Sequence, residues 1–225
     1  MIQLTRSGTV VSDPSSALAT LRDDFARQHY VRLPGFLEPR LLRFIQSAVE
    51  HAEFEERVHL HGHDKTPSAP DAAPWARDVA MKANLAQGLL DLLLMNDAVL
   101  FETIEFVTAA ERIGCFDGTV YRIDPAFGHY DSWHDDVGHS RVAAISINLS
   151  AAPFSGGVLQ IRNAATGEIL SDVPNPCAGD AVLFRVSPRL QHRVSKVEGA
   201  SPRTVFAGWF CSEPVFDFRS AVSGG

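Results

Sequence analysis

The chain has 225 residues, 45% of them hydrophobic and 21% charged. This is the ordinary balance of a soluble globular protein and suits one domain with a sizeable core, or at most two small ones. A formal charge of -7, with no Lys/Arg cluster, argues against a nucleic-acid partner, which would ask for a basic face.

The N-terminal "MIQLTRSGTVVSDPSS" lacks the charged-then-apolar pattern of a signal segment. Asp13-Pro14-Ser15-Ser16 reads as a turn and helix start, followed by "ALATLRDDFARQHY" with Leu18, Leu21 and Phe25 at helical spacing. "YVRLPGF" reads as a short strand ended by Pro34-Gly35, and "LEPRLLRFIQSAVEHAEFEE" as a second amphipathic helix with Leu41, Leu42, Ile45, Val49 and Ala52 on one stripe. Residues 57–80 show several prolines and little periodicity and read as one long loop. "NLAQGLLDLLLMND" and "AVLFETIEFVTAAERIG" complete a first half that reads as mostly helical. The most apolar run, "GLLDLLLMNDAVLF", is interrupted by Asp91, Asn96 and Asp97, so no membrane span is expected.

The pattern changes near Gly118. "TVYRID", "RVAAISINLS", "GGVLQIRNA", "DAVLFRVS", "HRVSKVE" and "RTVFAGWF" are short runs rich in Val, Ile and Phe, separated by turn residues. Strands at this spacing predict a sandwich or barrel. The expected organisation is a single α+β domain over 1–225, with residues 1–116 as helical support plus a long loop and 117–213 as a β-core. Cys115, Cys177 and Cys211 lie far apart without CxxC spacing, which argues against a disulfide framework or a zinc-thiolate site. Each reads as a small buried apolar side chain, and a reducing, cytoplasmic location is expected.

The stretch "HYDSWHDDVGHSR" concentrates chemistry. Side chains two apart on a strand share a face, so His-x-Asp makes a two-ligand arm. Two such arms are present, His129-x-Asp131 and His134-x-Asp136, and His192 in "PRLQHRVSKVE" offers a third ligand. Two imidazoles and one carboxylate form the facial triad of non-haem Fe(II) enzymes, which leaves coordination positions open. Closed zinc sites instead use four protein ligands, usually with sulfur. Arg203 follows His192 by eleven residues, and a turn between adjacent antiparallel strands would return it near His192, pointing into the barrel. A guanidinium there calls for an anionic partner, and its fork suits a carboxylate. "VHLHGHD" places His59, His61 and His63 in alternation as a second candidate metal cluster, set against a surface loop or an active-site lid in which Trp75 would contact substrate or anchor packing.

Taken in order, Tyr121, His134-x-Asp136, Gly156-Gly157, "AGDAVLF", His192, Arg203 and Trp209 resemble the Fe(II)/2-oxoglutarate-dependent dioxygenases, particularly their prolyl-hydroxylase-like branch. The resemblance covers about residues 117–213. It implies a double-stranded β-helix, a jelly-roll or cupin-like barrel supported by the N-terminal helices. It implies iron held by His134, Asp136 and His192, with 2-oxoglutarate and O2 as cosubstrates and ascorbate as a reductant. It implies Arg203 on the distal carboxylate of 2-oxoglutarate, assisted by Tyr121 and Thr204, although Val205 stands where the family often has a serine or threonine. The second His-x-Asp arm is preferred because in the family the arm follows the tyrosine strand by about a dozen residues and leads into a strand, as "RVAAISINLS" does. His129 and Asp131 would then lie on the rim or in the substrate mouth, Asp135 would point away, His139 would be at the surface, and Arg141 would face either substrate or solvent. The carboxylate at Asp136 favours hydroxylation over halogenation. The implied substrate is a small molecule such as an amino acid, or a peptidyl residue, with neither nucleic acid nor membrane as partner and the oligomeric state open. The rival reading is a non-catalytic cupin-like module binding a metal or small anion, for which Arg203 would have no use.

Overall fold

The first strands of the chain form a hairpin, β1 (Ile2–Thr5) with β2 (Gly8–Val11), whose Ile2 and Leu4 are buried. The computed structural model describes residues 1–12, 15–59, 76–82, 84–95, 97–110, 112–127, 129–138 and 140–213. Asp13 and Pro14 of the expected turn therefore lie outside the described residues. Helix α1 (Ser15–Gln28) buries Phe25 and ends where His29 turns left-handed at φ 67°, and β3 (Tyr30–Leu33) follows. Helix α2 (Pro39–Glu50) starts with proline at its first turn, where the missing N–H costs nothing, and buries Leu41, Ile45 and Val49.

Here the structure departs from the sequence reading. The helix expected to reach Glu56 stops at Glu50, and β4 (Phe54–His59) pairs antiparallel with β5 (Ala76–Met81) over six residues. The expected loop is thus flanked by strands, and the first half is less helical than anticipated. Two capped helices follow. Asn84 Oδ1 accepts from the Ala86 and Gln87 amides (2.9 and 3.2 Å) at the start of α3 (Leu85–Met95), and Asp97 Oδ1 accepts from Leu100 N (3.0 Å) at the start of α4 (Ala98–Thr108). Left-handed Ala109 (φ 57°) ends α4 before "AERIG". No helix among the described residues is long and apolar enough to cross a membrane.

The β-region then runs through β6 (Cys115–Ile123), a 3₁₀ turn (Pro125–Phe127), β7 (Tyr130–Asp131), β8 (Arg141–Asn148), β9 (Ser155–Gly156), β10 (Leu159–Asn163), β11 (Ile169–Val173), β12 (Ala181–Arg185), β13 (Leu190–Val194), β14 (Val197–Glu198) and β15 (Arg203–Cys211). Strand β11, in the polar "EILSDV", was not anticipated. The major sheet has the order β3-β12-β8-β15-β6-β5-β4, with β7 on β5, and the minor sheet the order β11-β10-β13, with the β9–β14 pair beside it. Among the described residues these strands pair antiparallel with one another, and a single parallel bridge joins Leu4 to Leu37.

Alternation along β15 explains the layering. Phe206 and Phe210 enter the core between the major sheet and the helices, together with Leu41, Ile45, Leu90, Leu100 and Ile104. Val205, Ala207 and Trp209 face the space between the sheets, where Ala144, Leu159, Ile161, Val182 and Phe184 form a second cluster joining the major and minor sheets. Helices, major sheet and minor sheet make three layers, and the two sheets are those of a double-stranded β-helix.

Candidate active site

His192 lies on the buried face of β13, in the row Leu190, His192, Val194. His134 pairs with it as an isolated antiparallel bridge: His134 N donates to His192 O (3.0 Å), and His192 N donates to His134 O (2.8 Å). The two rings stand 4.2 Å apart at 58°. Asp136 joins them, but not by strand alternation. Residues 135–138 are irregular, and a left-handed backbone at Asp136 (φ 58°) turns its carboxylate back toward the histidines. Asp136 Oδ2 is 3.2 Å from His192 Nε2, and Oδ1 is 3.6 Å from His134 Nε2. One ligand atom from each of His134, Asp136 and His192 lies within 4.8 Å of the others.

The environment fixes protonation. His134 Nδ1 lies 2.6 Å from the Ser132 carbonyl, which assigns the ring proton to Nδ1 and leaves Nε2 as the acceptor facing Asp136. Burial, then the charge of His192, lowers the His134 pKa, against the opposing pull of Asp131 and Asp136. Burial alone would raise the Asp136 carboxyl. The His192 hydrogen bond, the charges of both histidines and the Trp209 N–H outweigh it and hold the carboxyl well below the usual range. A neutral imidazole and an ionised carboxylate are the forms a metal ion requires.

Arg203 comes from the opposite sheet. The expected adjacency of its strand to that of His192 does not hold, since β15 pairs with β6 and β8 while β13 pairs with β10. The guanidinium reaches the same cavity across the barrel. It is buried, donates to Ser146 Oγ (3.4 Å) and forms no ion pair among the described residues. Burial pushes its pKa down to about 10, partly offset by the negative charge of Asp131, so it remains a cation at neutral pH. Gly157 makes room for it: at φ 63°, an added Cβ would meet Arg203 Cδ at 2.9 Å.

Both groups line one cavity of about 380 Å³, along with Tyr121, Asp131, Arg141 and Trp209. Tyr121 sits opposite Val205 on β6 and lines the cavity. Thr204 does not. Alternation turns its hydroxyl to the other side, where Arg122 Nε donates to it (3.2 Å), and Val205 lines the cavity instead. His129 is not on the rim either: it is buried, and its Nδ1 accepts from Asp124 N (3.1 Å) at the 3₁₀ turn. Asp131 does line the cavity, 3.3 Å from His134 Nδ1. Asp135 accepts from Val137 N (3.0 Å) and stays out of the cavity. The side chain of His59 and all of His61, His63, Trp75 and His139 lie outside the described residues.

Two side chains acquire roles that sequence reasoning had not assigned. Trp209 Nε1 donates to Asp136 Oδ2 (2.8 Å). The Arg141 guanidinium stacks over the Trp209 ring at 3.8 Å, with Nη1 3.4 Å from Asp136 O and 3.7 Å from Oδ1. Trp133, next to His134, contacts Arg162 (4.3 Å) and Arg193 (4.7 Å), which fastens the ligand-bearing segment to the minor sheet.

The donor set fits a divalent iron: two imidazoles and one carboxylate with room for further ligands. The buried guanidinium behind its glycine fits a dicarboxylate cosubstrate. Residues 118–211 match the family model of the 2OG-Fe(II) oxygenase superfamily. The β-region of this chain is thus similar to that superfamily. Its members use Fe(II), 2-oxoglutarate and O2 in an oxidation coupled to breakdown of 2-oxoglutarate, and these are the cofactor and cosubstrates of this oxygenase. Similar solved structures include a prolyl-4-hydroxylase from Pseudomonas putida, at 19% identity and TM-score 0.59, covering 87% of this chain and 99% of that one. They also include the epimerase SnoN in complex with Fe3+, alpha ketoglutarate and nogalamycin RO, at 15% identity and TM-score 0.60, covering 89% and 88%. A third is a prolyl hydroxylase from Trichoplax adhaerens in complex with a hypoxia inducible factor peptide fragment, at 12% identity and TM-score 0.59, covering 95% and 99%. No curated protein matches the sequence.

Proposed function

We propose that this oxygenase is a hydroxylase of a small molecule, with iron held by His134, Asp136 and His192 and 2-oxoglutarate held by Arg203 and Tyr121. The observation that carries the reading is the shared cavity: the triad and a buried arginine with no ion pair among the described residues face one space from opposite sheets. A metal or anion module without turnover has no need of the second element.

Iron bound to the triad supplies a centre at which dioxygen is reduced while 2-oxoglutarate is oxidised to succinate and carbon dioxide. The protein's own groups set the conditions. Ser132 holds the proton of His134 on Nδ1, so that Nε2 is free to ligate. Trp209 fixes one oxygen of Asp136. Arg203 offers a forked pair of donors to the distal carboxylate, and burial strengthens that pairing. Leu159, Val182, Phe184 and Val205 form apolar walls that exclude water from the reacting atoms.

The test is Fe(II)-dependent succinate release with 2-oxoglutarate as the titrant and ascorbate present as reductant. A charge-assisted hydrogen bond contributes about 1.5–3 kcal/mol, so Arg203→Ala is expected to raise the half-saturating 2-oxoglutarate concentration about ten- to a hundred-fold. An unchanged midpoint removes Arg203 from this role. Iron content and turnover should collapse in His134→Ala and not in His129→Ala; the reverse would show that the first arm is the ligand.

A further inference from the structure

If Arg203 and the triad are taken by cosubstrate and metal, and Asp131 lies against His134 Nδ1, two further charged side chains of the cavity can still meet a substrate. Arg141 and Asp117 stand at its outer end: the floor group Arg203 is buried, Arg141 is partly exposed and Asp117 is exposed. They flank Trp209. Asp117 pairs with Trp209 across β6 and β15, whereas Arg141 pairs with Cys211 across β15 and β8 and lies over the Trp209 ring. Two strand spacings separate them, roughly 10 Å at the backbone, a gap that both side chains can narrow.

Arg141 is aimed there by an irregularity of the sheet. The β8–β15 register shifts between Phe210 and Cys211, so that Phe210 pairs with Ala143 and Cys211 with Arg141, leaving Val142 as an extra residue. Val142 and Ala143 both pack with the helix-side core. Regular alternation from Ala144 and Ser146, which line the cavity, would have put Val142 in the mouth and turned Arg141 away. Bulges beside active sites re-aim single side chains in this manner. Only Nη1 of Arg141 is engaged, on Asp136; among the described residues nothing takes Nε or Nη2. The Asp117 carboxylate likewise has no hydrogen-bond or ion-pair partner among the described residues.

We propose that the substrate is a free zwitterion of the α-amino acid class, its carboxylate read by Arg141 and its ammonium by Asp117, with the side chain directed past Trp209 toward the triad. This rests on the oxygenase reading for which end of the cavity is the substrate end. A residue within a peptide carries neither pole, so the proposal separates a free metabolite from a peptidyl substrate.

The probes are the twenty L-α-amino acids, their α-carboxamides and their N-acetyl derivatives. Binding is followed by intrinsic tryptophan fluorescence, with Trp209→Phe as the blank, and turnover by succinate release. At least one free amino acid should bind and stimulate succinate release, and both of its capped forms should bind ten-fold or more weaker. In Arg141→Gln the acid-over-amide preference should fall to about one, and in Asp117→Asn the free-over-acetylated preference should do the same. Discriminating binding without succinate release would uphold the zwitterion site and remove the oxygenase reading. Equal binding of capped and free forms, or binding of none, overturns the proposal whatever the succinate result.

Discussion

Asp136 holds a backbone conformation that few side chains tolerate, and aspartate is among those that do. Its carboxylate is then fixed from two directions, by His192 at 3.2 Å and by the Trp209 N–H at 2.8 Å. Partners of this kind, one shell out from a metal, contribute about ten- to a hundred-fold in metal affinity. Trp209→Phe keeps an aromatic ring beneath Arg141 and removes only the N–H. The Fe(II) dissociation constant should rise ten-fold or more in an anaerobic titration, with the apo-protein's thermal midpoint little changed; an unaltered iron affinity would show that the Trp209 N–H does not orient the carboxylate. Two of the three proposed ligands, His134 and Asp136, drew notice in the sequence because they share one short motif, whereas His192 had to be chosen from a separate strand. Thr204 was misread although alternation already excluded it: a neighbour of an inward Arg203 must face outward. The tie from Trp209 to Asp136 spans 73 positions, and no local pattern announces it. His129 was misplaced because an imidazole that satisfies a buried amide looks, in sequence, like one that binds a metal.

At the scale of elements, the instructive case is the edge of β6. Strand β5 pairs with it only at Tyr121 and Arg122 and then diverges. The ladder is continued by a side chain: Gln87 of α3 accepts from Val120 N (3.1 Å) and donates to Gly118 O (3.0 Å), as a neighbouring strand would, while also bonding Asp91 (2.8 Å). Gln87 is itself buried. Gln87→Leu would leave the buried Val120 N–H without a partner, at about 1–3 kcal/mol, and the part-buried Gly118 carbonyl at about 1 kcal/mol, so a loss of about 2–4 kcal/mol in urea-unfolding stability is expected. A loss under half a kcal/mol would mean that water replaces the amide. A polar residue inside an apolar helix was the available sign, and it reads equally as surface. Strands β4 and β5 were hidden for a related reason: "FEERVH" continues the charge pattern of the preceding helix, and only pairing with a segment more than ten residues away makes it a strand. Strands built on local Val/Ile runs, such as β8, β12 and β15, were found because their composition needs no partner to be recognised.

Across the whole molecule, one apolar core runs from Ile2 through α1, α2, α3 and α4 to Phe206 and Phe210 of β15. Neither side of it is dispensable: the helices bury their apolar faces on the major sheet, and the sheet without them would expose those phenylalanines. Helices and β-helix should therefore unfold as one cooperative unit. Cys211 reports on this directly, because it is buried on the central strand β15, where burial first, and then the neighbouring Cys115, push its thiol up to about 12. At pH 8 such a thiol is ionised to only about one part in ten thousand, so alkylation waits for opening of the strand. Cys177 is exposed and should react at once. Far-UV circular dichroism, dominated by the helices, and protection of Cys211 from iodoacetamide should fall together along a urea series. If the helical signal disappears at a lower urea concentration than Cys211 protection, the helices are a separable layer, and the β-helix holds its own sheet closed without them.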